Sequence, residues 1–150
     1  MIKKYFSIFL FLLIYGCEYK PIYSTKSYNK INFNVESIEG DNTINSELIS
    51  SLNQFKTDLG EKILINIKTN YSKKDLSKNS TGSVVLYRIN INANFEVTIN
   101  NKKNFINMNE STNMNKISNQ FDEQNYEKSL KKIMARTLAE KLILELSKIQ

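Results

Sequence analysis

Residues 85–99 read VLYRININANFEVTI and alternate between apolar and polar side chains. The apolar positions are Val85, Tyr87, Ile89, Ile91, Ala93, Phe95, Val97 and Ile99, and the polar positions between them include Arg88, Asn90, Asn92, Asn94, Glu96 and Thr98. Because successive side chains of a strand point to opposite faces of a sheet, this period of two predicts one long strand with a buried face and a solvated face. We expect Tyr87 and Phe95 to lie in the core, and Arg88 to project from the polar face.

Three further strands are predicted around this one. Asn100 and Asn101, with the two lysines that follow, are typical of a hairpin turn, because asparagine tolerates positive φ. The chain then returns as a strand over about 104–114, whose polar face suggests a sheet edge. Alternation earlier in the chain predicts a strand over 31–38 and another over 63–71, the second followed by a polar loop at 73–83.

Two segments change to the helical period. Residues 43–56 carry apolar side chains three and four positions apart, and Asp41, Asn42 or Thr43 can cap the helix start. From Asp122 to the end, a second helix is predicted, and we assign Asp122 and Glu123 to its positively polarised start. Its apolar stripe comprises Tyr126, Leu130, Ile133, Met134, Leu138, Leu142, Leu146 and Ile149.

The predicted element order is strand, helix, strand, strand, strand, helix, with no internal repeat. This order predicts an α+β fold, a two-layer sandwich in which two helices pack on one face of a four-stranded mixed sheet. If the first helix is a crossover between neighbouring strands, the first and second strands run parallel. A chain of 150 residues is long enough for one ordinary domain, which we place at 31–150.

The composition argues against several classes of chemistry. The chain has no histidine, one cysteine and four widely spaced glycines, so it lacks the usual general base, a cysteine-rich zinc site and a glycine-rich phosphate loop. We therefore predict no catalytic residues, no metal site and no cofactor, with an enzyme using scattered carboxylates as the minor alternative. The net charge of +6 includes Lys3 and Lys4 of the amino-terminal segment and is too small to indicate nucleic acid.

The amino terminus has the pattern of an export signal. Lys3 and Lys4 precede the uncharged run YFSIFLFLLIY, and Gly16 and Cys17 follow it directly. The run is shorter than the roughly 20 residues that a membrane-spanning helix needs. The only cysteine is then either buried, reactive or covalently modified.

Residues 14–17, Ile-Tyr-Gly-Cys, resemble the bacterial lipobox, although the family prefers a small side chain where Tyr15 stands. The resemblance implies that residues 1–16 are cleaved and that Cys17 becomes a lipid-bearing amino terminus with three acyl chains. Three acyl chains anchor a protein stably, because two membrane-binding signals already suffice for stable attachment. Glu18, rather than aspartate, follows the cysteine, which implies delivery to the outer membrane, and residues 17–30 then form the anchor and tether. The alternative is an uncleaved or differently cleaved leader with a free Cys17.

The chain as a whole resembles the LptE family of lipopolysaccharide-assembly lipoproteins. Cys17, Tyr19, Pro21, Ile22 and Tyr23 match the family opening of Cys, Gly, aromatic, any residue, Pro, Leu, Tyr, with Glu18 in place of Gly and Ile22 in place of Leu. The last helix resembles the alanine-rich terminal helix of the family through Ala135, Leu138, Ala139, Leu142 and Leu146. The predicted element order extends the resemblance over nearly the whole mature chain.

The resemblance implies a protein without enzymatic activity. It would sit as a plug inside an LptD-type outer-membrane β-barrel, support the assembly of that barrel and help lipopolysaccharide reach the outer leaflet. Cationic side chains near lipid phosphates would suit this role, and our candidates for lipopolysaccharide contact are Arg88, Lys102 and Lys103. The alternative is an envelope lipoprotein that binds a small molecule or another protein without a barrel partner.

Overall fold

A computed structural model describes residues 30–149. The elements in chain order are β1 (Phe33–Glu39), α1 (Asn42–Asn53), β2 (Ile63–Lys78), β3 (Val84–Ile99), β4 (Lys102–Asn115) and α2 (Gln120–Ile149). The four strands form one sheet in the order β1-β2-β3-β4. β1 pairs parallel with β2, while β2–β3 and β3–β4 are antiparallel. The predicted mixed α+β fold is therefore confirmed, including the parallel pair joined by the helical crossover.

The core lies between the sheet and the two helices. Ile89, Ile91, Ala93, Phe95 and Val97 of β3 are buried there with apolar residues of β2, α1 and α2. The predicted burial of the apolar face of β3 is wrong at its first position, because Val85 is 41% exposed. Tyr87 is only half-buried. The strand is longer than the apolar core that covers it, so its first residues leave the core.

The predicted loop at 73–83 is wrong, because β2 continues to Lys78. Lys73 pairs with Ile89 and Lys74 with Arg88, and register shifts follow between Asp75 and Lys78. The turn is confined to the residues between Lys78 and Val84, where the Asn79 side chain accepts hydrogen bonds from the backbone N–H groups of Thr81 and Ser83. Strand pairing thus overrides the polar composition of this segment.

The second hairpin turn is tighter than predicted. Asn100 and Asn101 have φ values of 50° and 61°, as a two-residue type I′ turn requires. The two lysines after them belong to β4, where Lys102 pairs with Ile99 and Lys103 with Thr98. β4 is an edge strand, as its polar side chains suggested.

Both helices begin at capping side chains. The Asp41 carboxylate accepts hydrogen bonds from the backbone N–H groups of Thr43 (2.9 Å) and Ile44 (3.1 Å), which confirms one of the predicted caps of α1. α2 begins two residues before the predicted start, because the Asn119 side chain accepts from the N–H groups of Phe121 and Asp122. No helix between residues 30 and 149 is both long and apolar enough to cross a membrane.

The apolar stripe of α2 is partly wrong. Met134, Leu138, Leu142 and Leu146 are buried as predicted, but Ile133 is 57% exposed and Tyr126 43% exposed. The buried surface instead includes Ala135, Ala139 and Ile143. α2 packs against both α1 and the sheet, so its buried arc is wider than a single stripe and is displaced from Ile133.

Candidate functional site

The sheet face opposite the helices is mostly polar, although Leu64, Leu86 and Phe105 also project from it. We call it the outer face, and its central residues come from three neighbouring strands: Asn66, Lys68, Asn70, Ser72 and Lys74 of β2, Arg88, Asn90, Asn92, Asn94, Glu96 and Thr98 of β3, and Lys103, Phe105, Asn107, Asn109, Ser111 and Asn113 of β4. They lie side by side because directly opposed residues share a face. Within residues 30–149, neither helix covers this surface, since both pack in the core on the other side.

Amide side chains dominate the middle of the outer face. Asn92 lies between Asn70 and Asn109, and the side-chain amide of Asn109 donates a hydrogen bond to the side-chain amide oxygen of Asn92. At the β1 side, the Ser37 hydroxyl donates to the side-chain amide oxygen of Asn66 at 2.7 Å. Asparagine is disfavoured in strands, so the apolar inner face and the ladder hydrogen bonds must hold these strands together. The amides present a broad uncharged surface of donors and acceptors to whatever covers it.

Charges on the outer face are neutralised except at one end. Lys68 pairs with Glu39 (3.3 Å), and Lys103 pairs with Glu96. Lys74 and Arg88, in contrast, are directly opposed in the register of β2 and β3. Neither forms an ion pair with an acid of the described residues, and Arg88 reaches only the Asn113 amide oxygen, 3.4 Å from its Nε. Like charges opposed in this way are destabilising, so this cation pair would gain from a bound anion.

The structure separates the three predicted cationic contacts. Arg88 and Lys103 both lie on the outer face, but Lys103 is opposite Thr98, ten positions along β3 from Arg88, a distance of about 33 Å. Lys102 is opposite Ile99 and therefore projects toward the helix side of the sheet. These residues do not form one site. Sequence analysis missed Lys74, which only the register of β2 places beside Arg88.

Phe105 is a strongly exposed apolar side chain on the outer face. It lies opposite Glu96 and is 71% exposed. It borders a shallow groove of about 260 Å³ that is also lined by Ser37, Asn66, Lys68 and Asn94. A shallow groove with one aromatic wall and polar side chains suits docking of a protein surface better than enclosure of a small molecule.

A second polar cluster lies on the helix side, where α2 crosses the far end of the sheet. The Glu123 carboxylate accepts from Lys73 (3.1 Å), Lys116 (2.9 Å) and the backbone N–H of Ile117 (3.1 Å). The hydrogen bond from Lys116 leads the contributions that lower the pKa of Glu123 to about 2. Glu123 lies in the first turn of α2, as predicted, but its buried carboxylate binds Lys73 of β2 and the Lys116–Ile117 segment that follows β4 rather than capping the helix.

The same cluster extends to α1. Glu127 accepts from the Tyr71 hydroxyl (2.7 Å) and from Lys73 (2.8 Å), and Lys131 binds the Asp41 carboxylate at 2.8 Å while its Nζ lies 3.8 Å from the Tyr71 ring centroid. Burial opposes the charge on Glu127, but the hydrogen bonds from Lys73 and Tyr71 outweigh it and lower the pKa. These contacts fix α2 to both β2 and the start of α1.

We expect the free energy of unfolding to depend on Glu123 between pH 5 and pH 2. Because the pKa of Glu123 is lower in the folded state, its contribution is present above its ordinary pKa near 4.5 and is lost as the pH falls toward 2. Glu123→Gln should therefore lower the free energy of unfolding at pH 7 by about 1–3 kcal/mol, and the difference from wild type should close near pH 2. Urea unfolding at a series of pH values measures this, with Glu140→Gln on the exposed side of α2 as control. A difference that stays constant with pH would contradict the role of the Glu123 charge.

Metal-ligating side chains are not clustered in the part of the chain that the structure describes. Between residues 30 and 149, no three Asp, Glu, Cys or His side chains are grouped so that they could hold a metal ion. Cys17, the predicted lipid attachment residue, lies outside the described residues. The candidate site is the outer face, because its exposed polar side chains and shallow groove suit docking of a protein surface.

Solved structures with the same fold include three bacterial lipoproteins. Rare lipoprotein B from Shewanella oneidensis is 13% identical, with a TM-score of 0.65 over 79% of this chain and 96% of the other. A minor lipoprotein from Acinetobacter baumannii is 10% identical, with a TM-score of 0.57 over 79% and 94%. Lipoprotein B from Nitrosomonas europaea is 14% identical, with a TM-score of 0.56 over 81% and 85%. At these identities the likeness concerns the fold alone.

Comparison by sequence gives the family. No curated protein matches the chain significantly. The family model for LptE, described as lipopolysaccharide-assembly, matches residues 29–146. This range contains every strand and all but the last residues of α2. The chain therefore belongs to the LptE lipopolysaccharide-assembly family.

Proposed function

We propose that the protein is an outer-membrane lipoprotein that plugs an LptD-type β-barrel, supports its assembly and assists insertion of lipopolysaccharide into the outer leaflet. The observation that carries this proposal is the outer face, an uncovered polar sheet surface in a member of this family. Outer-membrane barrels have polar interiors. A plug therefore needs a polar surface whose hydrogen bonds to water can be replaced by hydrogen bonds to the barrel wall. The amide ladder around Asn92 provides such a surface.

The dimensions of the sheet support this placement. β2 and β3 each have 16 residues. A strand of that length extends about 50 Å, which exceeds the roughly 25 Å apolar band of an outer-membrane barrel. The sheet is therefore long enough to follow a barrel wall through the membrane and beyond it on either side.

The membrane anchor in this proposal is a lipidated Cys17. The described chain starts beside β1, where the Ile31 N–H donates to the Phe55 carbonyl and the Ile31 carbonyl accepts from Thr57. A tether over residues 17–30 would lead from the membrane surface to this corner of the domain. Mass spectrometry of the mature protein tests the anchor, and a chain that retains residues 1–16 would refute it.

For lipopolysaccharide contact, the structure favours Arg88 over Lys103. Arg88 lies beside Lys74 with no acidic partner in the described part of the chain, whereas the charge of Lys103 is neutralised by Glu96. We expect Arg88→Gln to weaken binding of purified lipopolysaccharide about tenfold, as loss of a charge-assisted hydrogen bond does. Lys102→Gln and Lys103→Gln should each weaken it less than Arg88→Gln, and Lys132→Gln on α2 serves as control. Equal losses for Arg88→Gln and Lys132→Gln would remove Arg88 from the proposed site.

A pull-down from detergent-solubilised envelope tests the proposed function. The full-length chain carrying an affinity tag should recover a large β-barrel protein of the LptD type. An envelope lipoprotein that binds a small molecule or another protein would recover no barrel. Repeated recovery of other envelope proteins in the absence of any barrel would therefore overturn the proposal in favour of that alternative.

A further inference from the structure

Phe105 combines strong exposure with a position beside the groove of the outer face. It is 71% exposed and lies in one row across the sheet with Asn66 and Glu96. Single exposed apolar side chains are common on protein surfaces and need no explanation. An aromatic ring beside a groove on a binding surface differs, because aromatic residues are enriched at the centres of protein interfaces and carry much of the binding energy there. Phe105 is therefore a candidate hot spot, a residue on which binding depends strongly.

The groove beside Phe105 has the size of one large side chain. Its volume of about 260 Å³ is smaller than the roughly 300–1,000 Å³ of small-molecule sites. All four strands contribute to the lining, which includes Ser37, Glu39, Asn66, Lys68, Asn94, Glu96 and Phe105. The groove therefore suits a single side chain that projects from a covering protein surface.

The charges around the groove disfavour a charged occupant. The charged residues in its lining are Glu39, Lys68 and Glu96. Lys68 pairs with Glu39 at 3.3 Å, and Glu96 pairs with Lys103. Because these charges are neutralised in pairs within the chain, a charged occupant would be desolvated without gaining an unpaired partner. The occupant is therefore uncharged.

Two amides in the groove require hydrogen bonds from whatever covers them. The side-chain oxygen of Asn66 accepts from Ser37 at 2.7 Å, which leaves its amino group as a donor. The side-chain amide of Asn94, a diagonal neighbour of Asn66, has no hydrogen-bond partner between residues 30 and 149. Covering these amides with an apolar side chain would leave them unsatisfied, which is costly. A hydroxyl both donates and accepts, so it can serve both amides.

We propose that Phe105 is the hot spot of the outer face, and that a lumen-facing tyrosine of the barrel partner fills the groove beside it. The tyrosine ring packs against Phe105, and its hydroxyl lies between the amides of Asn66 and Asn94. Aromatic pairs of this kind are more favourable than their buried area alone implies. A polar barrel interior accommodates tyrosine, because the hydroxyl is hydrated until the plug arrives. This inference rests on the proposed function and names the side chain that the partner contributes.

Substitution of Phe105 tests its role in a pull-down of the tagged full-length chain from detergent-solubilised envelope. Phe105→Ala should reduce recovery of the barrel at least tenfold, as loss of a hot spot does, whereas Phe105→Tyr keeps the ring and should stay within about threefold of wild type. Phe121→Ala is the matched control, because Phe121 is 70% exposed but belongs to the first turn of α2. It should leave recovery unchanged, with circular dichroism confirming that every variant is folded.

Cross-linking identifies the side chain opposite Phe105. A photoreactive phenylalanine analogue at position 105 should capture a barrel peptide that contains a tyrosine, which mass spectrometry locates. Replacing that tyrosine by alanine should reduce recovery about as much as Phe105→Ala. The two substitutions together should reduce recovery no more than about threefold further, because residues in contact lose the same interaction.

The outcomes separate this inference from the proposed function. Equal recovery with Phe105→Ala and Phe121→Ala, while Asn92→Glu loses the barrel, would overturn the role of Phe105 and leave the barrel partner standing. Capture of a barrel peptide without tyrosine, of a second copy of this chain or of another envelope protein would overturn the proposed occupant. An unmodified chain that recovers no barrel would overturn both proposals.

Discussion

Gly40→Ala is expected to lower the free energy of unfolding by about 3–5 kcal/mol, the sum of backbone strain and overpacking. Gly40 follows β1 directly and has a φ of 121°, a conformation that residues with a Cβ rarely adopt. A Cβ added there would lie 2.1 Å from the backbone carbonyl oxygen of Thr69 and 2.4 Å from its Oγ1. The Thr69 carbonyl belongs to a central strand and cannot move without disturbing the ladder.

The matched control for this substitution is Gly82→Ala. Gly82 also has a positive φ, 82°, but a Cβ there would meet no atom within 4 Å. Gly82→Ala should therefore lower the free energy of unfolding by the backbone strain alone, about 1–2 kcal/mol. Urea unfolding of both variants measures the difference, and equal losses would contradict the close approach of Gly40 to Thr69.

Asn92→Glu is expected to reduce recovery of the proposed barrel partner at least tenfold while the free energy of unfolding changes by less than about 0.5 kcal/mol. Asn92 lies at the centre of the outer face and is exposed, so the domain tolerates a carboxylate there. If the outer face meets a barrel wall, the same carboxylate is desolvated there, and no hydrogen-bond donor or cation is placed to compensate for the lost water. The effect should therefore appear in binding and not in folding.

Asn125→Glu on α2 makes the same chemical change away from the outer face, since Asn125 is exposed on the opposite layer. It should leave barrel recovery within about twofold of wild type, because a solvated charge outside an interface changes affinity little. Pull-downs from the same envelope preparation compare the two variants. If both reduce recovery alike, the outer face has no special part in binding.

The fold was predictable mainly because β3 carries an uninterrupted period of two. Once that strand has a buried face, the Asn100-Asn101 turn fixes its pairing with β4, and the helical spacing of residues 43–56 fixes a crossover. These are local signals. They give the order and type of the elements, and the structure confirms both.

The end of β2 was not predictable for a physical reason. Lys73 lies on the inner side of the sheet, where the alternation calls for an apolar residue, and its charge is stabilised there by Glu123 and Glu127. Burial opposes the charge, yet these two carboxylates raise the pKa of Lys73. Its partners are about 50 positions away in the chain, so no local pattern reveals them.

The candidate site was predictable only in part. The polar face of β3 and the exposure of Arg88 followed from alternation. The separation of Arg88 from Lys103, the neutralisation of Lys103 by Glu96 and the place of Lys74 beside Arg88 all depend on strand register. Register arises from packing and pairing across the sheet, which a single sequence does not display.

Photo-cross-linking in living cells tests the central claim most directly. A photoreactive amino acid at Asn92 on the outer face is compared with the same amino acid at Asn125 on α2, in the otherwise unchanged full-length chain. We predict that the Asn92 probe forms an adduct with a large outer-membrane β-barrel, identified by mass spectrometry, and that the Asn125 probe forms far less of it. An Asn92 probe that never captures a barrel, in cells where the Asn125 probe does, would contradict the claim that the outer face meets the barrel.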